Sequence, residues 1–510
     1  MSDPEQHEQE MKGRLERLAD WFDGRLGLSH ELLRPAPRYS INPFYWLGAL
    51  AVVAFVIQGI TGIIMLFYYV PTPASAYATT LYIFHYVSFG QFLETVHLYT
   101  AYAMIMLAFM HMMRGYFVSV HKKPREIMWV TGMLMGFVTL GFGFTGYLLP
   151  GTVTSQLATN VGTAMIGVLP QPFQSFISFL VVGNGGNATE LLRFFDLHVI
   201  VLPAVLLVLL AVKMYMLEAH GVSEPVTGGT PISEGKVRLL PFFPDVSIYL
   251  LELAALFGAA MLLISALFPL VLAPIYSPAT VSQVVSQPDW YFLWIYQILK
   301  ISAFEHPLFT VEGLKWALSI VSLIFVLLVL LPFIDRGDTR RIARRPIYVT
   351  LGLVFTAELV VLTIWGHLTP GIVIPNTQAA LVLGGTALLV GLVSFSSYKL
   401  LPKHSALEAL AEDSVSSSSE KDLTRWASVW TSGIFVAVLG VGALSIGGSI
   451  NSVVIMATFG VSAAQVANLA FFLLLLAASV AGAAFLLYRL DLGRGKIKRR
   501  VKAFEVGWKE

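Results

Sequence analysis

The sequence predicts an all-α integral membrane protein of about ten transmembrane helices, the first four gathered into a bundle with two stacked functional levels. Three observations carry this. Of the 510 residues, 56% are hydrophobic and 13% charged, with a mean hydropathy of +0.73, far from the balance of a water-soluble domain. Ten apolar runs reach spanning length. Three of the first four runs repeat a residue at a fourteen-residue interval: His97 and His111, Gly48 and Gly62, Gly132 and Gly146.

Residues 1–45 are polar and form an amino-terminal segment in which Met11, Leu15, Leu18, Phe22 and Leu26 recur at helical spacing, with Lys12, Arg14, Arg17 and Asp20 on other faces. That pattern predicts an amphipathic helix lying at the cytoplasmic interface. The first apolar run is long enough to span, so no cleavable signal is expected. Spans are expected at 46–69, 92–118, 128–149 and 196–217 within a first unit of residues 46–245. A second four-helix half, 246–402, follows with spans at 247–273, 316–333, 347–367 and 378–400. Residues 403–425 contain Ala411–Lys421 (AEDSVSSSSEK), a serine-rich linker. The remaining 426–510 form a two-helix extension with spans at 427–447 and 466–488.

Lysine and arginine orient the chain. His121–Arg125 (HKKPR), Lys236 with Arg238, Arg336–Arg345, Lys399–Lys403 and the tail from Arg489 all fall on one side of a ten-helix count. Segments 70–90, 150–189, 269–288, 368–377 and 446–466 fall on the other and hold no Asp, Glu, Lys or Arg. The positive-inside rule then places both termini in the cytoplasm. An uncharged outer face fits either an acidic exterior or burial beneath partner subunits. Asn187-Ala188-Thr189 on that side is a glycosylation sequon, a weak signal. Net charge is +2, which gives no reason to expect a nucleic-acid partner, and the absence of cysteine excludes disulfides, thiolate-held clusters and thioether-linked haem.

His97 and His111 carry the chemistry. Fourteen residues rise about 21 Å and return to within roughly 40° of the same helical face. One helix thus presents an imidazole near each side of the membrane, where ionisable groups are costly and usually functional. Two metal centres at two depths are one reading, and two unrelated polar contacts between helices the other. The glycine pairs favour the first, because removing side chains at the same interval lets two planar macrocycles approach the backbone within a four-helix bundle. The fourth run opens on Asp196-Leu197-His198 and contains Pro203, placing His198 level with His97. Fourteen to fifteen residues further stand Val212 and Lys213 where a second histidine would be needed, and His220 lies about 33 Å from His198, beyond the level of His111.

Thr95–Pro150 (TVHLYTAYAMIMLAFMHMMRGYF…HKKPREIMWVTG…GFTGYLLP) resembles the cytochrome b subunit of quinol-oxidising Rieske/cytochrome b complexes, most like the photosynthetic bf branch and here a respiratory relative. Pro288-Asp289-Trp290-Tyr291 is similar to that family's Pro-Glu-Trp-Tyr motif and is followed by Gln297-Ile298-Leu299-Lys300. Asp20-Trp21-Phe22, Arg25-Leu26, Pro332-Phe333 and Arg344-Arg345-Pro346 match as well, so the resemblance covers about residues 15–400.

The resemblance implies two non-covalent haems, b-type or a-type, and a quinone. His97 and His198 would ligate the outer haem iron and His111 the inner one, with Gly48, Gly62, Gly132 and Gly146 beside the rings and Arg114 toward a propionate or bound quinone. Asp289 would accept the quinol proton, with Tyr291 and Tyr147 as hydrogen-bonding neighbours. Electrons would pass from quinol at an outer site through both haems, coupled to proton translocation. The subunit would be catalytic only with a Rieske iron–sulfur protein and other respiratory-complex subunits, with a terminal oxidase and a homodimer as further associations. Its place would be the lipid of the plasma membrane.

Three positions depart from the family pattern. The fourth histidine, expected fifteen residues after His198, is Lys213. Lysine binds iron only as its neutral amine, so Lys213 is either a ligand or a snorkelling cation beside a five-coordinate or missing inner haem; Met214 and Met216 are no better placed. Asp289 is one methylene shorter than glutamate, and its plain alternative is to cap a short helix. After Pro150 the family's Trp-Asp-Gln is Gly151-Thr152-Val153. Lys122 and Arg125 read as solvated interfacial charges, and His220 as an interfacial residue or an inner-site quinone contact. Trp46 and the lack of cysteine argue against a third, attached haem. Two other classes compete: a transporter, which would need broken helices around a midplane site, and a haem-binding anchor wiring an oxidase without its own quinone cycle.

Overall fold

The computed structural model describes residues 21, 35–37, 40–183, 187–223, 239–282, 287–301, 311–337, 339–340, 342–400 and 477. The amphipathic helix of Met11–Leu26, the serine-rich linker and the ninth and tenth spans lie outside these, except for Trp21 and Ala477.

In chain order the helices are α1 (Leu47–Leu66), α2 (Ala76–Tyr86), α3 (Gly90–Phe117), α4 (Glu126–Leu148), α5 (Val153–Gly167), α6 (Phe173–Val182), α7 (Thr189–His220), α8 (Ser247–Leu267), α9 (Leu293–Leu299), α10 (Lys315–Ile334), α11 (Pro346–Leu368) and α12 (Asn376–Lys399). Eight of them, α1, α3, α4, α7, α8, α10, α11 and α12, are long and apolar enough to cross a membrane. They correspond one to one with the first eight expected spans. The short α2, α5 and α6 were not expected. All three occupy the uncharged segments 70–90 and 150–189. Strand β1 (Pro35–Pro37) pairs antiparallel with β2 (Leu239–Pro241), a small exception to the all-α expectation that ties the segment before α1 to the one before α8.

Two ends differ from the expectation for local reasons. Helix α8 stops at Leu267 although the apolar run continues, because Pro269 disfavours helical backbone at Phe268, which has φ −128°. Helix α7 starts earlier than its apolar run and contains a π turn over Leu197–Val201. Pro203 has no N–H to offer the Val199 carbonyl, and the Leu202 N–H reaches back to Leu197 instead.

The first four spans share one apolar layer: Ala54 from α1, Met104 from α3, Val138 from α4 and Leu206 from α7 are all buried together. Met104 stands midway between His97 and His111, so this packed layer separates the two candidate levels. A larger cluster joins the halves, with Met113, Tyr116, Phe117, Trp129 and Met133 against Leu331, Ile342, Val349, Leu353 and Val390. A buried ionic clamp caps it. Asp335 accepts from His121 Nε2 at 2.8 Å, from Lys122 Nζ at 3.0 Å and from Arg345, which also donates to Ser119. Burial pushes the Asp335 carboxyl up, but its three donors outweigh that and hold it below the usual range. Burial lowers His121 to about 4. The expectation of a solvated Lys122 is therefore corrected: its side chain is 7% exposed and salt-bridged.

Candidate functional site

At the outer level, α3 and α7 bring His97 and His198 opposite one another, with ring centroids 6.3 Å apart and planes inclined at 60°. Metal–imidazole bonds of about 2.0 Å on opposite sides of one ion place two ring centres roughly 6 Å apart, so the pair fits bis-imidazole ligation. Donor accounting settles the tautomers. The Thr61 hydroxyl donates to Ile57 O at 2.8 Å and so accepts from His97 Nδ1, also at 2.8 Å. The Thr145 hydroxyl donates to Gly141 O at 2.8 Å and accepts from His198 Nδ1 at 3.0 Å. With the ring proton on Nδ1, each Nε2 keeps its lone pair for a metal.

The glycines stand against these same side chains. A Cβ on Gly146 would lie 2.7 Å from His198 Cε1, and one on Gly62 would lie 3.5 Å from His97 Cε1. At the inner level a Cβ on Gly48 would lie 3.1 Å from His111 Cε1, and one on Gly132 would lie 2.8 Å from Lys213 Nζ. Each of the four candidate ligands thus faces a glycine on the neighbouring helix, α3 against α1 and α7 against α4. The donor set, two neutral imidazoles outside and an imidazole with an amine inside, together with flat glycine walls, fits haem at both levels.

The register of Lys213 follows from the π turn. A π turn admits about one extra residue without advancing the helical face. Fifteen residues from His198 to Lys213 therefore do the work of fourteen elsewhere, and Lys213 returns to the face of His198. His111 Nδ1 is buried without a hydrogen-bond partner among the described residues. Arg114 lies over the Tyr45 ring at 4.0 Å and, like Lys213, within electrostatic reach of His111. His220 ends α7, its carbonyl accepting from Arg125 Nη2 at 2.9 Å.

Asp289 precedes the turn Trp290–Phe292 and makes no capping bond. Its carboxylate instead accepts from Tyr291 Oη at 3.3 Å, with the Tyr102 phenol close by. Burial raises this carboxyl, and the two phenols partly oppose the shift. Burial, then the Asp289 charge, pushes the Tyr291 hydroxyl well above its ordinary value. Tyr147 lies within electrostatic reach of the same carboxyl. Gly151-Thr152-Val153 makes the turn into α5: Gly151 has φ +67°, Thr152 caps α5 through Ser155 N at 3.2 Å, and Val153 N donates to Pro274 O at 2.9 Å.

The structure adds residues that sequence reasoning missed. Tyr102 was not singled out, and nothing local marks it. Thr61 and Thr145 had a signal, since each directly precedes the glycine of its level, in Thr61-Gly62 and Thr145-Gly146.

These features define a class: a multi-pass membrane protein whose first four spans present paired ligands at two depths beside a carboxyl–tyrosine cluster from the second half. Residues 102–278 match the family described as Cytochrome b(N-terminal)/b6/petB, and residues 274–383 match Cytochrome b(C-terminal)/b6/petD. The chain is 32% identical over 359 residues to a "Cytochrome bc complex cytochrome b subunit" of Chlorobaculum thiosulfatiphilum, covering 68% of this chain and 80% of that protein. It is 31% identical over 397 residues to a "Cytochrome b" of Sulfolobus acidocaldarius, covering 73% and 69%. A solved chain of a "Hyperthermophilic respiratory Complex III" superposes with a TM-score of 0.60 at 25% identity, covering 75% of this chain and 97% of that one. The chain belongs to the cytochrome b family of bc- and b6f-type complexes, membrane electron-transfer subunits whose cofactor is haem b.

Proposed function

We propose that this chain is the quinol-oxidising, di-haem subunit of its respiratory complex, moving electrons across the plasma membrane in step with proton translocation. The observation that carries this reading is the fourfold pairing of a candidate ligand with a facing glycine, at two levels fourteen or fifteen residues apart. His97 and His198 would hold the outer haem, and His111 and Lys213 the inner, both without covalent attachment. When bound, the two haems supply one-electron carriers at two depths. Lys213 serves as a neutral amine; its Nζ stands against Gly132 as the His198 ring stands against Gly146, which supports ligation over snorkelling. At the outer site Asp289 takes the proton of a quinol hydroxyl, while Tyr291 and Tyr147 line the approach. A Rieske iron–sulfur protein and further respiratory subunits would complete the cycle at the outer face.

A pyridine haemochrome assay on the purified chain is expected to give two haems per polypeptide; one or none overturns the di-haem reading. Lys213→Ala and Lys213→Met should alter the inner-haem band, and an unchanged band in both removes Lys213 as a ligand. Asp289→Asn should abolish most quinol-driven haem reduction while leaving haem content intact.

A further inference from the structure

A phenol from the other half of the molecule packs against the turn that carries the outer carboxyl. Tyr102 lies on α3, five residues past His97 and about 140° further round the helix, so it faces away from the histidine level. Its phenol comes within electrostatic reach of the Asp289 carboxyl. Its ring meets Trp290 edge-on, with centroids 6.2 Å apart and planes at 80°, and stands 6.0 Å from the Tyr291 ring. One turn outward, Tyr99 packs on it at 6.3 Å and spends its own hydroxyl on Phe268 O at 2.7 Å. Tyr291 is a divided donor, because its single proton lies nearer Gly143 O, at 3.0 Å, than Asp289, at 3.3 Å.

Aspartate has one rotatable bond fewer than glutamate, so the carboxyl stays close to where the backbone of the Pro288–Asp289 turn puts it. A short acid in a partly buried pocket needs a donor brought to it, and α3 brings one. We propose that Tyr102 is a positioning residue for quinol oxidation: it fixes the Asp289 carboxylate, in its unprotonated form, where it can take the proton of a quinol hydroxyl. The inference rests on Asp289 being the proton acceptor, as read above. The proton moves from quinol oxygen to Asp289 oxygen, and Tyr102 keeps its own proton throughout.

The titratable groups facing Asp289 are Tyr102 with Tyr99 behind it on α3, Tyr147 at the end of α4, and Tyr291 on its own turn. None of these is cationic, so among the described residues it is the phenols that favour the carboxylate against burial. Removing one raises the carboxyl's pKa. Only the carboxylate accepts the proton, so the acid limb of the rate profile must move to higher pH. A hydrogen bond to a charged group corresponds to a shift of about one pH unit.

The test uses the intact complex and decyl-ubiquinol, with quinol-driven haem reduction followed by stopped flow from pH 5 to 9, a window of about two units either side of neutrality chosen to bracket the limb. Tyr102→Phe is expected to move the acid limb up by about one unit with haem content preserved. A fluorinated tyrosine at position 102, a stronger donor, should move it down. In an Asp289→Asn background, Tyr102→Phe should add nothing. A limb left in place by both substitutions at position 102, or effects that multiply in the double variant, overturns the role of Tyr102. If Asp289→Asn itself leaves the rate unchanged, it is the proton-acceptor reading that fails.

Discussion

One methyl group at Gly146 tests whether the glycine walls exist to fit a ligand level. In Gly146→Ala the new Cβ would stand 2.7 Å from His198 Cε1 and 3.3 Å from both ring nitrogens, whereas ordinary contact begins at 3.4 Å. The ring must therefore retreat by about 0.7 Å or tilt. It has little freedom to do so, since Nδ1 is bonded to Thr145 at 3.0 Å and the opposite ring is centred 6.3 Å away. Two opposing terms set the outcome. Alanine favours the helix over glycine by about 1 kcal/mol, while overpacking costs about 1–3 kcal/mol. The fold should thus melt near the wild-type temperature, and the loss should fall on ligand placement. On the proposed ligation, displacing the His198 ring should weaken retention of haem at the outer level by roughly 10–100-fold. The companion Gly62→Ala places its Cβ 3.5 Å from His97 Cε1, which is ordinary contact, and should be nearly silent. Haem-to-chain ratio by pyridine haemochrome, with the rate of haem transfer to apomyoglobin, reads the difference. Equal loss in both variants would refute the cradle argument, because it would mean that helix packing and not ring clearance sets the requirement.

If His97 and His198 hold haem as proposed, Thr145→Val and Thr61→Val should each loosen its retention about 10-fold by removing an Nδ1 partner. Thr100→Val, at a buried hydroxyl with no partner among the described residues, should not. Asp335→Ala leaves Lys122 and Arg345 buried without their anion and should lower stability by about 3–5 kcal/mol, read as a fall in unfolding temperature in detergent. Asp335 is held below its ordinary value and His121 sits at about 4, so both bind fewer protons folded than unfolded. Stability should be complete above about pH 6.5 and decline as pH falls toward 4; a flat profile over that range would count against the clamp. Deleting Ile200 should close the π turn to α-helix and leave both haem bands unchanged, whereas deleting Met106 from the regular α3 turns His111 by about 100° and should lose one.

Much of this architecture was legible because the membrane imposes one dominant rule, that a span be long and apolar. The expected ends of α1, α3, α4, α11 and α12 fall within three residues of those observed. The rule fails where apolarity and helicity part. Phe268 to Leu272 are mostly apolar but follow a proline-terminated helix, and Glu190, Arg193 and Asp196 are polar yet helical. Helices α5 and α6 were invisible for the same reason, as neither spans and no charge punctuates them. The two levels could be read from the interval between residues on single helices. What could not be read is pairing across the sequence. Lys122 meets Asp335 from 213 positions away, and Tyr102 reaches Asp289 only because α3 passes beneath the turn that carries it.

The two levels also differ in how far they are oriented in advance. Outside, each imidazole is fixed by a threonine one residue before the facing glycine, Thr61-Gly62 for His97 and Thr145-Gly146 for His198. Inside, Leu47 precedes Gly48, and the Nδ1 of His111 has no partner among the described residues. Helix α4 repeats the outer pattern as Thr131-Gly132, with Thr131 buried, but the residue opposite is Lys213, which has no ring nitrogen to orient. A lysine keeps a flexible four-carbon stem and three rotatable donors, so its head must be ordered when something binds. Ordering one such side chain costs about 0.5–1.5 kcal/mol. The outer level is thus aimed by hydrogen bonds formed with the fold, while the inner level is aimed by glycine clearance and the π turn alone. If both hold haem, the inner one should exchange first.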